Sequence, residues 1–188
     1  MTVKEVIVGA ALVLDETALI SALADETTAL SDENEKKKNT LLKCFNDTLF
    51  EIATEYYPLV KEEGFDAGKI LFSAFAKTPL KIRNVTAGGE NIGFALGTDY
   101  ISTDKKAGKV NVIYEYVPEE KTESDLFDYE KTPYGKTVFC YGIAAEYCLI
   151  TGRFSEAANW ESRFKNALTA VSLPRKRAGK ITVGKVWK

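Results

Sequence analysis

Twenty-seven carboxylates and not one histidine make up the near-neutral acid–base equipment of this 188-residue chain. The lack of imidazole removes the Ser/His and Cys/His nucleophile systems, the usual proton shuttle and the commonest zinc ligand together. A carboxyl group acts as an acid at neutral pH where an apolar setting raises its pKa, and the candidate is Glu146, in "AAEYC". Arg153 and Arg163 follow it at separations that a helical hairpin brings alongside, so Glu146 reads as half of a buried ion pair rather than a catalytic acid. The three cysteines, Cys44, Cys140 and Cys148, lie in apolar stretches without metal-ligand spacing. They read as reduced core thiols of a cytosolic product. The glycines of "AGGENIG" follow no parallel strand and precede no helix, which makes them a hairpin turn and not a nucleotide loop. The residues therefore predict no catalytic set, no cofactor, no metal and no enzyme.

The strongest chemical signal lies at the end of the chain. "PRKRAGKITVGKVWK", residues 174–188, carries six cations and no acid. Setting those six aside from 25 Lys and Arg leaves 19 against 27 acids, a body near −8. Such a body is a poor nucleic-acid binder, and a cationic segment beside it suits an anionic partner surface. Arg175, Lys176, Arg177, Lys180, Lys185 and Lys188 supply the charge, while Ile181, Val183, Val186 and Trp187 favour an extended strand that gains by burial. Three uses fit these residues: a strand added to another sheet, an arm on nucleic acid, or a disordered end.

The elements that position these residues read as helices around a sheet. Thr2 and Glu5 have capping-box spacing, predicting a helix from the third residue, a break near residue 14 and a second short helix to about Ala24. The apolar run "VIVGAALVL" is flanked by Glu5 and Asp15 and is too short to span a bilayer. The polar stretch "DETTALSDENEKKKN" reads as an exposed linker. From Thr40, Leu41, Phe45, Leu49, Ile52 and Tyr56 recur at helical spacing, as do Leu59 and Val60, with Pro58 in the last turn and Gly64 as the stop. After Gly68 the period becomes two, predicting a small antiparallel β-lobe over about 69–118, followed by the acidic loop "PEEKTESDLFDYEK". Thr132-Pro133 predicts the start of a helix that runs to Gly152, and Ser155 opens another with Ala157, Trp160, Phe164, Ala167, Leu168 and Val171 on one face. The short connection makes these two an antiparallel hairpin. The whole predicts an α+β protein: a single domain over 1–173, with four to five helices in a bundle and the inserted lobe, then an extended C-terminal arm over 174–188.

Within that frame, "YGIAAEYCLITGRFSEAANWESRFKNAL", "LLKCFNDTLFEIATEYYPL", the strand "VNVIYEYVP" and the basic, Trp-containing ending resemble the head-to-tail connector (adaptor, or head-completion) proteins of tailed bacteriophages. The resemblance covers most of the chain, most clearly from residue 40. It implies a structural virion protein of the neck, made in the host cytoplasm, that forms a homo-oligomeric ring, typically twelvefold, below the portal. The implied partners are the portal protein and a further neck or tail protein, with DNA passing through the lumen without specific binding and no membrane contact. It places Tyr141, Glu146, Tyr147, Gly152, Trp160, Arg163 and Phe164 in the structural hairpin, beside Arg153, and Lys180 to Lys188 in a portal-docking arm. The alternatives are a stopper or tail terminator of the same neck, or a small DNA-binding packaging accessory protein.

Overall fold

Two reciprocal hydrogen bonds start the first helix. In the computed structural model, which describes residues 1–24, 29–104, 106 and 108–172, helix α1 spans Val3–Val13. The Thr2 hydroxyl accepts from the Glu5 amide at 3.4 Å, and the Glu5 carboxylate accepts from the Thr2 amide at 2.8 Å, so two of the orphan N–H groups at the helix start are satisfied. Asp15, at a φ of 58°, turns the chain into α2, Thr17–Ala24. Helix α1 is the central element of the bundle, since Val3, Val6, Ile7, Ala10 and Ala11 are all essentially inaccessible.

Helix α3, Asp32–Glu51, begins well before the apolar stripe at Thr40, which corrects the expectation of an exposed linker across residues 32–39. Ser31 caps it by accepting from the Asn34 amide at 3.3 Å. Asp32, Glu33 and Glu35 in the first turn suit the positive end of the helix dipole. Lys37 pairs with Glu33 at 3.1 Å and reaches Glu16 at 3.0 Å, tying this polar turn to α2's N-terminal side. At its far end α3 passes through one π-helical turn, Ile52–Tyr56, and stops at Pro58. Leu59 and Val60 do not continue the helix as expected: they open strand β1, Leu59–Asp66, and Gly64 lies inside that strand opposite Asn111.

The β-lobe therefore starts at Leu59, ahead of the predicted 69. Strands β2 (Lys69–Leu71), β3 (Pro79–Ala87), β4 (Glu90–Asn91), β5 (Phe94–Leu96), β6 (Tyr100–Thr103) and β7 (Lys109–Tyr116) complete it. They form a four-stranded antiparallel sheet in the order β1-β7-β3-β4 and a three-stranded one in the order β2-β6-β5. Phe72 and Ala74, expected to extend a strand, lie in a 3-10 turn instead. The β3–β4 hairpin turns at Gly88 and Gly89, with φ of 58° and 87°, values that side chains resist. Phe75 packs edge-on to Tyr114 at 4.8 Å, and with Ile82, Val85, Ile101, Val110 and Val112 they form a core of the lobe separate from that of the bundle.

The acidic loop returns across the bundle, where Phe127 and Tyr129 bury their rings and the N-terminal amine pairs with Glu130 at 2.7 Å. Helix α4, Lys136–Ile150, starts after Gly135 and not at Pro133. The Thr132 hydroxyl is used in the turn before it, donating to the Tyr129 carbonyl and accepting from the Tyr134 amide. Gly152, at a φ of 76°, then reverses the chain into α5, Phe154–Ser172. The two helices pack as the predicted antiparallel hairpin, with Ala157, Phe164 and Leu168 facing inward. Among the described residues no helix is long and apolar enough to cross a membrane. The molecule is an α+β protein.

The contact of α3 with α4 depends on Gly142. A Cβ there would lie 2.6 Å from Thr48 Cγ2 and 3.1 Å from both Thr48 Oγ1 and a Phe164 ring carbon. Gly142→Ala is expected to destabilise the fold by about 1–3 kcal/mol through overpacking. Adding Thr48→Ala should recover most of that loss, because the Thr48 hydroxyl is buried without a partner and its removal forfeits no hydrogen bond. Urea unfolding of the two single variants and the double variant measures it; additive losses would place the obstruction elsewhere.

Candidate interaction surface

The hairpin residues named from the sequence come together, but not with the partners expected. Tyr141 and Trp160 stack across the two helices with centroids 5.8 Å apart and planes 22° from parallel. The Arg163 guanidinium lies over the Trp160 ring, 4.9 Å from its centroid. Phe164 fills the space above Gly142. Arg153, at the turn, faces Glu16 at 3.9 Å and Glu156 at 3.6 Å and lies 5.4 Å from the Tyr147 ring. Tyr147 in turn donates from its hydroxyl to Glu16 at 3.4 Å. Glu16 thus links the turn after α1 to α3 through Lys37 and to the hairpin through Tyr147, while the buried Arg153 Nη2 faces it without a hydrogen bond.

Glu146 pairs with neither arginine, which corrects the predicted ion pair: Arg153 is committed to Glu16 and Glu156, and Arg163 to Trp160. It lies instead in a cleft of about 410 Å³ between the π-turn and the hairpin, lined also by Glu51, Glu55, Tyr56, Glu161 and Lys165. Burial, and then the neighbouring charges of Glu55 and Glu146, push the Glu51 carboxyl above its usual range. Lys165 is the cation of this wall and is paired with Glu161. The cleft is an anionic surface, and the described residues contain no cluster of His, Cys, Asp and Glu arranged to hold a metal ion.

All three cysteines are buried free thiols. Desolvation pushes Cys44 up to about 12 and Cys140 up to about 11, and raises Cys148 as well, so none is poised as a thiolate nucleophile. Three large apolar side chains flank the Gly152 turn at the tip of the hairpin, Leu149, Ile150 and Phe154, which are 52%, 51% and 67% exposed. Burying that tip would gain free energy in proportion to the apolar area removed from water.

A second feature escaped the sequence reading altogether, the outer edge of β1. Its residues alternate between half-buried and exposed from Leu59 to Asp66. On the half-buried side Glu63 accepts from the Tyr114 hydroxyl at 2.7 Å and from the Ala76 amide at 3.1 Å, and pairs with Lys61 at 2.8 Å. Those bonds hold its carboxyl below the usual range against the opposing effect of desolvation, which is the largest single influence on it. The sequence "LVKEEGFD" has no apolar–polar alternation to announce a strand, since charged Lys61 and Glu63 share the half-buried side with Leu59 and Phe65.

The predicted docking residues Arg175, Lys176, Arg177, Lys180, Ile181, Val183, Lys185, Val186, Trp187 and Lys188 lie outside the described residues. No protein-family model matches the sequence, and a search of curated proteins likewise finds no match.

Proposed function

We propose that this chain is a structural component of a tailed-phage neck, a head-to-tail connector that assembles as a homo-oligomeric ring between portal and tail. The observation that carries the reading is the tip of the α4–α5 hairpin, where Leu149, Ile150 and Phe154 are each exposed on either side of the Gly152 turn. The turn beneath them is held by the Arg153 amide donating to the Cys148 carbonyl at 2.8 Å and the Thr151 hydroxyl donating to the Tyr147 carbonyl at 2.7 Å, which lowers the cost of ordering it on binding. In a ring such a tip inserts into the adjacent subunit, a heterologous contact that closes when the rotation allows. The anionic cleft and the excess of carboxylates in the body keep DNA phosphates from adhering inside the ring, while the basic segment 174–188 docks on the portal or on a neighbouring subunit.

Electron microscopy of the purified chain mixed with a candidate portal tests this directly. Rings stacked on the portal are expected for the full chain, and deletion of residues 174–188 should abolish the stacking while the circular dichroism of the body is unchanged. No stacking by the full chain, together with DNA binding that is lost on the same deletion, would instead make the chain a packaging accessory that uses its cations on phosphates.

A further inference from the structure

Between residues 1 and 172 the chain passes from bundle to β-lobe once, at Tyr57–Leu59, and returns once, at Tyr116–Pro118. Among the described residues helices pack on helices and strands on strands, and no helix lies along either sheet. The two hydrophobic cores are separate, and the boundary between them falls inside one cross-strand pair. Leu59 packs against the bundle core, whereas its partner Tyr116 packs against that of the lobe. Units of one chain are expected to move relative to each other unless a large apolar interface joins them, and here neither sheet presses a face on a helix.

The geometry points to a two-point hinge on which the β-lobe turns as a rigid body against the helical bundle, with Pro58 as one joint and residues 118–120 as the other. Each joint lies between two anchors. On the outward path the Tyr57 ring packs 5.1 Å from that of buried Tyr134 and 6.1 Å from that of buried Tyr129. Its carbonyl accepts from the Tyr129 hydroxyl at 2.8 Å and its amide donates to the Ile52 carbonyl at 2.7 Å, so the chain belongs to the bundle as far as Tyr57. Leu59 is already paired with Tyr116 in the sheet, which leaves Pro58 alone between the anchors.

On the return path the Val117 amide donates to the Thr78 carbonyl at 3.1 Å, which keeps that residue with the lobe. Lys121 belongs to the bundle, because the Asn46 side chain accepts from its amide at 2.8 Å and donates to its carbonyl at 3.0 Å. Residues 118–120 between them have no regular structure. They border a cavity of about 150 Å³ against Asn46, Leu49 and Phe50 of α3, which gives them room to shift. Such short, element-terminal segments are where hinges absorb backbone rotation, and the fixed φ of Pro58 and Pro118 confines that rotation to few torsions. Lys77 of the lobe pairs with Glu119 across the second joint. Glu119 is exposed, and a pair of this kind holds weakly, so it biases the resting angle without locking it. The hinge is independent of the proposed neck role; it lets one sequence present the lobe at different angles to unlike neighbours.

Residual dipolar couplings of the full chain in a weakly aligning medium test the hinge, since they average over the microsecond-to-millisecond range of such motions. Amides of 59–103 and 109–116 are expected to fit one alignment tensor, and those of 1–24, 29–57 and 121–172 another, with the smaller magnitude for the lobe. Lys77→Ala and Pro118→Gly should each reduce the lobe's magnitude further while the fit within each body is unchanged. Lys77→Ala removes only a surface ion pair and serves alone if the glycine variant disturbs folding. A single tensor for the whole chain overturns the inference, as do two tensors of equal magnitude, which would mean a fixed pose at another angle. A lobe whose own amides share no tensor, or whose magnitude ignores the substitutions, overturns it as well.

Discussion

Phe139→Ala is expected to cost about 3–5 kcal/mol of unfolding free energy, a large part of the roughly 5–15 kcal/mol that holds a typical domain folded. Phe139 is fully buried and is the ring on which three segments of the bundle converge. It lies 5.6 Å from Phe45 of α3, 4.7 Å and nearly perpendicular to Phe127, and 5.4 Å from Tyr129. Phe127 and Tyr129 belong to the acidic loop, so truncation at 139 removes the surface that holds the loop down. Tyr129 donates from its hydroxyl to the Tyr57 carbonyl at 2.8 Å, at the root of β1. The loss should therefore spread: amides of 120–131 and of the lobe's base are expected to exchange faster in the variant, beyond the change at α4 itself. Phe154→Ala removes an equal ring that is 67% exposed and should stay within about 0.5 kcal/mol of the parent. Urea unfolding measures both, and a Phe139→Ala loss no larger than that of Phe154→Ala would mean that the loop packs independently of α4.

Those two phenylalanines illustrate what composition and spacing convey. The inward stripe of α5, the reversal at Gly152 and the capping box at Thr2 are local events, fixed by residues three or four apart, and each lies where the sequence places it. Residues 32–39 form the first turns of α3 although their charge density suggests a linker, because that density describes an exposed face and an exposed face is compatible with a capped helix. Leu59 and Val60 fit the helical period of Ile52 and Tyr56, yet the chain cannot keep that period through Pro58, and pairing with Tyr116 and Glu115 of β7 claims them. Thr132 shows a related limit: a hydroxyl before proline suits a helix cap, and here the same hydroxyl closes a turn three residues early.

The site follows the same division. Tyr141, Trp160, Arg163 and Phe164 were legible as neighbours because one hairpin carries them all. The partner of Arg153 was not, since Glu16 arrives from the end of α1, more than a hundred residues away in the chain, and outcompetes Glu146 by position alone. Placing four carboxylates around one cleft required knowing that the end of α3 and the π-turn after it set Glu51 and Glu55 beside the hairpin's Glu146 and Glu161.

Loss of stability at alkaline pH is the other large effect expected. Burial raises the thiols of Cys44 and Cys140 from 9.0 to about 12 and about 11, and raises Cys148 in the same direction. It also raises the phenols of Tyr129 and Tyr114, the latter helped by its hydrogen bond to Glu63. Each of these groups is held neutral by the folded state and ionises at its ordinary value in the unfolded chain. Below that ordinary value both states are protonated and the contribution is fully present. As pH climbs above it the unfolded chain sheds protons that the folded chain retains, and stability falls until the folded pKa is passed. Each group contributes a slope of about 1.4 kcal/mol per pH unit. Cys44 and Cys140 together should thus remove roughly 2–3 kcal/mol per unit in the window from about 9 to 11, with the tyrosines steepening the fall at its upper end. Urea midpoints taken from pH 8 upward measure it, and Cys44→Ala should flatten the slope by one group's share even though it lowers the plateau by leaving a small void. The same burial makes the thiols unreactive toward a disulfide reagent at pH 8 until denaturant is added, when all three titrate at once. A flat stability profile to pH 11, or thiols that react in the native protein, would mean that α3 and α4 open around Cys44 and Cys140, and with them the support on which the hairpin surface stands.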